Sequence, residues 1–435
     1  MNYESLPDFY QRLDSQYNVT NNELENATYT SVDSNFVFSA GFARHRWFNY
    51  KEGFSPVLVE RIFNEYKLNE EALVCDPFCG AGTTLTVAKD KGMKSIGFEV
   101  NPFAAFISKV KTENYSKTDI IHFQKIINEI RNIDIDEKVE RPTNEYIQRI
   151  FENEMLIVQL NIRNFINSID DFKVRELVFF AWLCTLEECS LYRKAGNGLK
   201  KKKRAPEYRQ GEALEFAFNK INERCKKIID DFTQDETDNT PIIYVDSATN
   251  MAKYIGNNEL DMVLFSPPYA NCFDYTKIYY LELWFGEFVK DKNDQKDIRM
   301  KSIRSHCHAT WPERYTEFHL NDLNDILLPF LSQQDLWTDR IPGMLNGYFA
   351  DMEYTLKQIY ASLKQKGHCA IVVSNSAYAG IIIPTDILLA EIAERIGFTV
   401  EEIEVERLII TSSQQYKKTE HIRKYLRESI VKLRK

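Results

Sequence analysis

Short apolar runs alternate with amphipathic stretches along most of the chain. The short runs are typical of buried strands and lie at 72–75, 95–98, 242–245, 262–265, 368–373 and 429–433. Apolar residues recur at helical spacing between these runs, at 57–66, 83–91, 352–363 and 384–396. This alternation predicts an α/β fold with an open, mostly parallel sheet and helices on both of its faces.

The pattern changes between 114 and 240, where apolar residues keep a helical spacing and 177–191 forms a strongly apolar helix candidate. We therefore expect three units. They are an N-terminal segment with the first half of the α/β domain at 1–113, a large helical insertion at 114–240, and the second half of the α/β domain at 241–435. Residues 1–35 carry few helix or strand signals.

The composition excludes several classes of protein. With 435 residues, 44% hydrophobic and 27% charged, the chain resembles an ordinary soluble protein with a sizeable core. No apolar run reaches the 18 residues of a membrane span, and from the polar first residues we expect no secretory signal. The eight cysteines are too few and too scattered for a disulfide framework. We expect a cytoplasmic protein with reduced thiols and no membrane partner.

The charge is unevenly distributed along an acidic chain with a net charge of −9. Two segments, 193–209 and 417–435, each contain eight basic residues. The first includes an uninterrupted basic run formed by Lys200, Lys201, Lys202, Lys203 and Arg204. Two interpretations stay open for both segments: a solvated loop and tail, or contacts with the phosphates of a nucleic acid.

A glycine-rich turn follows the first predicted strand and reads DPFCGAGTTL over 76–85. Its glycines allow a tight turn and a close approach of backbone to ligand, and the helix that follows offers N–H groups to an anion. Glu99 ends the next strand, where an acid can accept both hydroxyls of a ribose. Because no lysine follows Gly82, the turn is not a phosphate-binding P-loop. The pattern favours a nucleoside ligand over an empty turn.

A second motif, SPPY at 266–269, directly follows another apolar strand. The two prolines remove two N–H donors and stiffen the backbone, which leaves carbonyl groups to accept hydrogen bonds. A polar side chain, two rigid residues and an aromatic face suit a flat ring that carries an amino group. A proline-rich turn with a packed tyrosine is the alternative.

The run His306-Cys307-His308 has the residue types of a metal site. Structural zinc sites need a second pair of ligands at a suitable spacing, and no such pair lies nearby in the sequence. We therefore expect these residues to have a core or surface role, and we predict no metal site.

Together the two motifs resemble those of the amino-methylating DNA methyltransferases. Residues 76–83 resemble the S-adenosylmethionine motif of that family, and 266–269 resembles its catalytic tetrapeptide. Three further segments fit in a consistent order. Residues 54–56 resemble the segment that folds over the methionine part of the cofactor, 98–102 the ribose- and adenine-binding segment, and 245–248 the segment whose Asp meets the adenine amino group.

The resemblance implies a Rossmann-like methyltransferase fold, S-adenosylmethionine as the methyl donor and a flipped base of double-stranded DNA as the acceptor. It assigns catalysis to Ser266, Pro267, Pro268 and Tyr269. It assigns cofactor binding to Phe54, Ser55, Asp76, Phe78, Gly80, Gly82, Thr83, Thr84, Glu99, Val100, Asn101, Asp246 and Ser247.

The proposed chemistry follows from the weak nucleophilicity of an exocyclic amine, whose lone pair is delocalised into the ring. Ser266 and the Pro267 carbonyl would accept the two amine hydrogens, so that positioning carries most of the catalysis. Tyr269 would stack on the base after it leaves the duplex. No covalent cysteine is required.

Family members with Ser at the first catalytic position mostly methylate N4 of cytosine, and those with Asp or Asn mostly methylate N6 of adenine. We therefore predict a cytosine-N4 enzyme, with adenine-N6, RNA and protein-glutamine methylation as alternatives. A non-catalytic DNA-binding subunit with the same fold is a more distant alternative.

The resemblance also implies a restriction–modification or phage-defence role, with a cognate restriction endonuclease as a further partner. Lys200 to Arg204 are the predicted DNA contacts, and 114–240 or 285–345 would recognise the target. The DNA recognition sequence and the oligomeric state stay open.

Overall fold

The computed structural model describes residues 2–21, 39, 41–51, 53–196, 198–232, 239–307, 309, 311, 314–315, 317–409 and 413–435. Within these residues one eight-stranded sheet and two two-stranded sheets are formed. The strands are β1 (Val19–Asn21), β2 (Leu73–Asp76), β3 (Lys94–Phe98), β4 (Tyr192–Ala195), β5 (Gly198–Lys201), β6 (Ile242–Tyr244), β7 (Leu260–Phe265), β8 (Leu363–Ser374), β9 (Ser376–Tyr378), β10 (Ile381–Ile383), β11 (Thr399–Leu408) and β12 (Arg427–Arg434).

Helices connect most of these strands. They are α1 (Leu6–Asp14), α2 (Pro56–Glu65), α3 (Thr83–Asp90), α4 (Pro102–Thr112), α5 (Lys117–Ile130), α6 (Glu145–Gln148), α7 (Asn153–Asn167), α8 (Phe172–Leu183), α9 (Leu186–Cys189), α10 (Ala213–Asp230), α11 (Tyr275–Ile278), α12 (Tyr280–Phe285), α13 (Lys292–Lys301), α14 (Leu328–Ser332), α15 (Ile341–Ser362), α16 (Thr385–Ile396) and α17 (Ser413–Thr419).

The large sheet has the order β1-β11-β12-β8-β7-β2-β3-β6. Strands β6, β3, β2, β7 and β8 are parallel to one another, whereas β12 runs antiparallel between β8 and β11. The chain builds outward from β2 to β3 and β6, and then returns to add β7 and β8 on the other side. The point where the order reverses therefore lies between β2 and β7. This is the expected α/β, Rossmann-like methyltransferase fold, which is confirmed.

Local sequence signals set the starts of the helices beside the sheet. Pro56 is the first residue of α2, and the Ser55 hydroxyl accepts a hydrogen bond from the N–H of Leu58. Asn101 caps α4 in the same way, with Pro102 as the first helical residue. Both helices thus begin with the side-chain cap and early proline that favour a helix start.

The strands of the large sheet bury both faces because helices cover each one. Along β7, Met262 and Leu264 pack with α2 and α3, whereas Val263 and Phe265 pack with the core on the opposite face. This alternation follows from the two-residue period of a strand. Central strands are therefore apolar throughout, which explains why they were visible as short runs in the sequence.

The helices of 117–230 form a third apolar core, but that core is shared with other parts of the chain. Trp47, Phe103 and Tyr279 belong to it although they lie outside the segment. At the end of α10, Asp231 accepts hydrogen bonds from the Trp47 indole at 3.0 Å and from Arg46 at 2.9 Å. The segment is thus fastened to the residues that precede the glycine turn. The three-unit division stays a prediction.

The N-terminal segment is more structured than its composition suggested. Leu6, Phe9, Tyr10 and Leu13 of α1 are buried in the main core. Their spacing of three and four residues is a helical pattern that the sequence displays, so the expectation of few helix signals in 1–35 was wrong for this stretch. Residues 22–35 lie outside the described residues.

The basic segment at 417–435 is not a solvated tail over its second half. Residues 427–434 form β12, in the interior of the sheet. Arg427 pairs with Asp14 and Asp386, and Lys432 pairs with Glu65, Glu402 and Glu404. Each of these two cations is itself buried and pairs with at least one buried carboxylate, Asp386 for Arg427 and Glu404 for Lys432. Lys417, Lys418, Arg423 and Lys424 are exposed.

The apolar helix predicted at 177–191 is two helices, α8 and α9. The chain turns between them, where the Thr185 hydroxyl donates back to the carbonyl of Trp182 at 2.7 Å. Among the described residues, no helix combines the length and the apolar character needed to cross a membrane.

Candidate active site

A cleft of about 1000 Å³, counting its open mouth, lies at the carboxyl edge of the parallel strands. Residues that directly follow β2, β3, β6 and β7 form one side of it. Tyr50, Gly53 and Phe54 contribute further walls, together with residues of 273–276 and 298–306. The cleft therefore covers the point where the strand order reverses, which is where doubly wound sheets bind ligands.

The glycine turn after β2 needs glycine at two positions. Gly80 has φ +48, and a Cβ there would lie 2.9 Å from a ring carbon of Tyr50. Gly82 has φ +77, and its Cβ would lie 2.2 Å from the Ser108 hydroxyl. Both positive φ values disfavour other residues, and neither site has space for a side chain. The two glycines therefore set the shape of the turn, and Gly80 lines the cleft.

Two carboxyl groups lie beside this turn, where Asp76 is buried and Glu99 is half-buried at the wall of the cleft. Glu99 accepts hydrogen bonds from the N–H of Gly80 at 3.0 Å and of Asn101 at 2.8 Å. Burial nevertheless raises the pKa of Glu99 to about 7. Burial also raises the pKa of Asp76 to about 7, although Thr84 and the N–H of Phe78 donate to it. Both acids therefore favour a ligand that supplies hydrogen-bond donors.

Asp246, which follows β6, differs from these two acids. Its carboxylate accepts hydrogen bonds from the N–H of Ser247 at 2.7 Å, the amide of Asn250 at 2.8 Å and the hydroxyl of Tyr254 at 2.9 Å. Burial opposes ionisation, but the hydrogen bonds outweigh it and lower the pKa of Asp246. Asp246 is thus an ionised acceptor whose direction is fixed by three neighbours.

Most residues assigned to the cofactor line this cleft. They are Phe54, Asp76, Phe78, Gly80, Thr83, Glu99, Val100, Asn101, Asp246 and Ser247. Ser55, Gly82 and Thr84 do not line it. Ser55 caps α2, Gly82 precedes α3 in the left-handed conformation, and Thr84 is fully buried against Asp76. These three support the walls of the cleft from behind.

The SPPY motif divides between the cleft and its surroundings. Ser266 and Pro268 line the cleft, whereas Pro267 and Tyr269 do not. The Tyr269 ring packs against the main core, and its hydroxyl donates to Glu428 at 2.9 Å. Phe273 is the aromatic ring of this segment that lines the cleft. Stacking of Tyr269 on a base therefore stays a prediction.

Sequence reasoning missed a polar wall of the cleft that Ser266 lines. It is formed by Asp274, Thr276, Ser302, Ser305 and His306. Asp274 is buried, accepts hydrogen bonds from Thr276 and pairs with Arg299 at 3.0 Å. Burial is outweighed by His306, Thr276 and Arg299, so the pKa of Asp274 is lowered. The sequence signals were an Asp at a helix start, which usually indicates a cap, and His306, for which we expected a core or surface role.

The basic segment at 193–209 begins with a hairpin, β4–β5, that packs against α11 beside the cleft. A Cβ on Gly198 would lie 4.0 Å from that of Lys277, and Lys51 donates to the carbonyl of Lys194 at 3.1 Å. Lys200, Lys201, Lys203 and Arg204 are exposed.

Lys202 differs from its basic neighbours. It is half-buried, and its ammonium donates to the carbonyls of Glu187 at 2.7 Å, Glu188 at 3.1 Å and Ser190 at 2.9 Å. The described residues contain no group of three or more His, Cys, Asp or Glu side chains placed to hold a metal, and His308 lies outside them.

Comparison with known proteins identifies the family. A family model described as DNA methylase matches residues 2–110. The Type II methyltransferase M.AvaI of Nostoc sp. strain PCC 7120 is 31% identical over 432 residues, which cover 90% of this chain and 86% of the relative. The chain belongs to the amino-methylating DNA methyltransferases. Its substrate is therefore DNA, and its methyl donor is S-adenosylmethionine.

Further comparisons place this methyltransferase among similar proteins. The Type II methyltransferase M.BsoBI of Geobacillus stearothermophilus is 30% identical over 403 residues, covering 81% of this chain and 78% of the relative. Among solved structures, TrmN from Thermus thermophilus matches with a TM-score of 0.30 and 10% identity, over 93% of this chain and 53% of that chain. So low a likeness adds nothing to the assignment.

The cleft of the methyltransferase fits S-adenosylmethionine. Acceptors at two strand ends, Glu99 and Asp246, match the hydroxyl and amino donors of an adenosine, and the backbone of the turn at Gly80 lines the same cleft. Asn101 adds a buried side-chain amide nitrogen that has no hydrogen-bond partner among the described residues. An unsatisfied buried donor is costly, so a ligand acceptor there would stabilise the site.

Proposed function

We propose that this methyltransferase transfers the methyl group of S-adenosylmethionine to N4 of cytosine in double-stranded DNA. The observation that carries this proposal is the position of Ser266. Its neutral hydroxyl stands at the end of β7 and lines the same cleft as the carboxylates of Asp76 and Glu99. A neutral acceptor suits an amine that needs orientation more than full deprotonation.

The cofactor would be held by the residues after β2, β3 and β6. Glu99 would accept the ribose hydroxyls, and Asp246 would accept the adenine amino group. Phe54 and Asp76 would surround the methionine part, where the buried carboxylate of Asp76 favours an ammonium. When bound, S-adenosylmethionine supplies an electrophilic methyl group.

The chain's own contribution to the reaction is orientation. Ser266 would accept one hydrogen of the target amine, and the Pro267 carbonyl would accept the other, so that the nitrogen lone pair points out of the ring plane. Pro267 and Pro268 hold these acceptors rigidly because each fixes its own φ angle. Positioning of this kind can lower the activation barrier of methyl transfer substantially, and it requires no covalent intermediate.

The target base must leave the duplex to reach Ser266, which lies inside the cleft. The exposed basic residues of 200–204 stand beside this cleft on a hairpin that packs against α11. Lys417, Lys418, Arg423 and Lys424 add a second exposed basic group, in α17 and the turn after it. These two groups would bind the phosphates of the flanking duplex, in a cytoplasmic restriction–modification or phage-defence setting with a cognate endonuclease.

The test is mass spectrometry of nucleosides from unmodified DNA treated with the purified chain and isotopically labelled S-adenosylmethionine. Label in N4-methylcytosine is expected, and it should disappear in Ser266→Ala while cofactor binding persists. Label in N6-methyladenine would overturn the cytosine assignment within the same family. Binding of DNA with no transfer of label would instead indicate a non-catalytic subunit.

A further inference from the structure

The catalytic tetrapeptide is connected to a glutamate far away in the sequence. The Ser266 hydroxyl donates to the Tyr269 hydroxyl at 3.4 Å, and the Tyr269 hydroxyl donates to Glu428 Oε1 at 2.9 Å. Arg407 donates to Glu428 Oε2 at 2.7 Å. Three strands, β7, β12 and β11, thus contribute to one hydrogen-bonded chain that ends at the residue facing the cleft.

The direction of this chain is determined by its buried end. Glu428 is 4% exposed, and its carboxylate is an acceptor only. The Tyr269 proton therefore points toward Glu428, which leaves a tyrosine lone pair to accept the Ser266 proton. The lone pairs of Ser266 then remain available for hydrogens that approach from the cleft.

The 3.4 Å separation of Ser266 and Tyr269 is long for a hydroxyl pair. Hydrogen bonds at catalytic groups are often long in the absence of substrate and shorten when the complex forms. The strong part of the chain is the anchored end, where Arg407 fixes Glu428 and Glu428 fixes the tyrosine hydroxyl. The ring of Tyr269 is thereby held at both its core face and its polar tip.

We propose that Glu428 is a positioning residue for methyl transfer. It acts through Tyr269 and directs the lone pairs of Ser266 toward the amine of the target base. This inference rests on the proposed role of Ser266. It explains why Tyr269 carries a hydroxyl, a group that base stacking alone does not use.

The variant Glu428→Gln tests the direction of the chain. Arg407 requires an oxygen opposite it, so the glutamine would present its NH2 group to Tyr269. That group is a donor, so the tyrosine proton would turn toward Ser266 and occupy one of its lone pairs. Single-turnover transfer from labelled S-adenosylmethionine to unmodified genomic DNA should slow by roughly tenfold to a hundredfold. The dissociation constants for cofactor and DNA should change little.

A second variant separates positioning from structural support. Tyr269→Phe keeps the ring and removes the hydroxyl, so it should slow transfer by itself. In this background, adding Glu428→Gln should cause no further loss of rate, because the two act in one chain. The control is Glu404→Gln, another buried glutamate of the sheet, which pairs with Arg61 and Lys432. It should lower stability and leave the transfer rate unchanged.

Full single-turnover activity in Glu428→Gln would overturn the proposal, as would independent, multiplying losses in the double variant. If Glu428→Gln does not fold, the rate of Tyr269→Phe decides the question, because an undiminished rate there removes the chain from the mechanism. If the unsubstituted enzyme methylates adenine, the same variants test the role of Glu428 toward the N6 amine of adenine. A parent that binds DNA and transfers no label overturns the proposed function and the inference with it.

Discussion

The backbone N–H of Gly80 donates a 3.0 Å hydrogen bond to the carboxylate of Glu99, which joins the glycine turn after β2 to the acid after β3. Each element therefore fixes the other, and the acid is held at the base of the cleft. A ligand hydroxyl that reaches Glu99 must also meet the bare backbone of the turn. This pairing underlies the first prediction.

Replacing Glu99 by Ala should weaken binding of S-adenosylmethionine by about 1.5–3 kcal/mol, which is a factor of roughly ten to a hundred in Kd, because hydrogen bonds to a charged acceptor are lost. Isothermal titration calorimetry with the cofactor provides the measurement. The matched control is Glu71→Ala, since Glu71 is exposed in the turn before β2. Equal cofactor affinity in both variants would contradict the assigned cofactor site.

The second prediction concerns pH. Burial raises the pKa of Asp76 from 3.8 to about 7 and that of Glu99 from 4.5 to about 7. For an acid whose pKa is higher in the folded state, the stability gained at low pH is lost as the pH rises through the folded value. The contribution of these two carboxyls to the free energy of unfolding of the ligand-free protein should therefore fall between about pH 4 and pH 7. In Glu99→Gln this fall should be smaller, as measured by urea denaturation.

Cofactor affinity should change in the opposite direction over the same range. If Glu99 accepts the ribose hydroxyls as a carboxylate, binding requires its ionised form. Affinity for S-adenosylmethionine should then rise with pH toward 7, by up to roughly tenfold per pH unit for each carboxyl that must ionise. A Kd that does not change with pH would contradict this role. So would a Kd that increases toward neutral pH.

Sequence patterns identified the cleft because its chemistry is local to strand ends. Asp76, Glu99, Asp246 and Ser266 each lie at or directly after a parallel strand, and such ends meet at one edge of a sheet. Once the strands were recognised, the meeting of these four residues followed. The glycine turn and the proline pair could be found for the same reason.

Long-range pairs could not be found from local patterns. Arg427 looked like part of a basic tail, yet its partners are Asp14 and Asp386. Tyr269 looked like a stacking face, yet its hydroxyl is held by Glu428. A charged side chain carries no local sign of whether it faces water or a buried partner, because that depends on strand order.

Arg427 provides a third prediction, on stability. Its guanidinium is 4% exposed and bridges Asp386, which is fully buried, to Asp14 of α1. Arg427→Met should destabilise the protein by about 3–5 kcal/mol, because it leaves a buried carboxylate without its cation. The control is Arg434→Met at the end of the same strand, where the side chain is 48% exposed and the expected loss is below about 1 kcal/mol. Similar denaturation midpoints for the two variants would contradict a structural role for Arg427.

The last prediction distinguishes the two interpretations of the basic hairpin. Lys200 and Lys201 are exposed in β5, beside the cleft, and replacing both by Gln should weaken DNA binding and leave S-adenosylmethionine affinity unchanged. Each lost phosphate contact should reduce the slope of log affinity against log salt by about 0.9. The control is the double variant Lys67→Gln/Lys94→Gln, which removes the same amount of charge at the opposite edge of the sheet, where β2 and β3 begin. It should leave the slope unchanged. Lys202 stays untouched in both pairs because its ammonium holds the three carbonyls at the end of α9. Fluorescence anisotropy with duplex DNA over a salt series gives the slope for each double variant. Equal slopes for the hairpin variant and the control variant would indicate that the hairpin is a solvated loop.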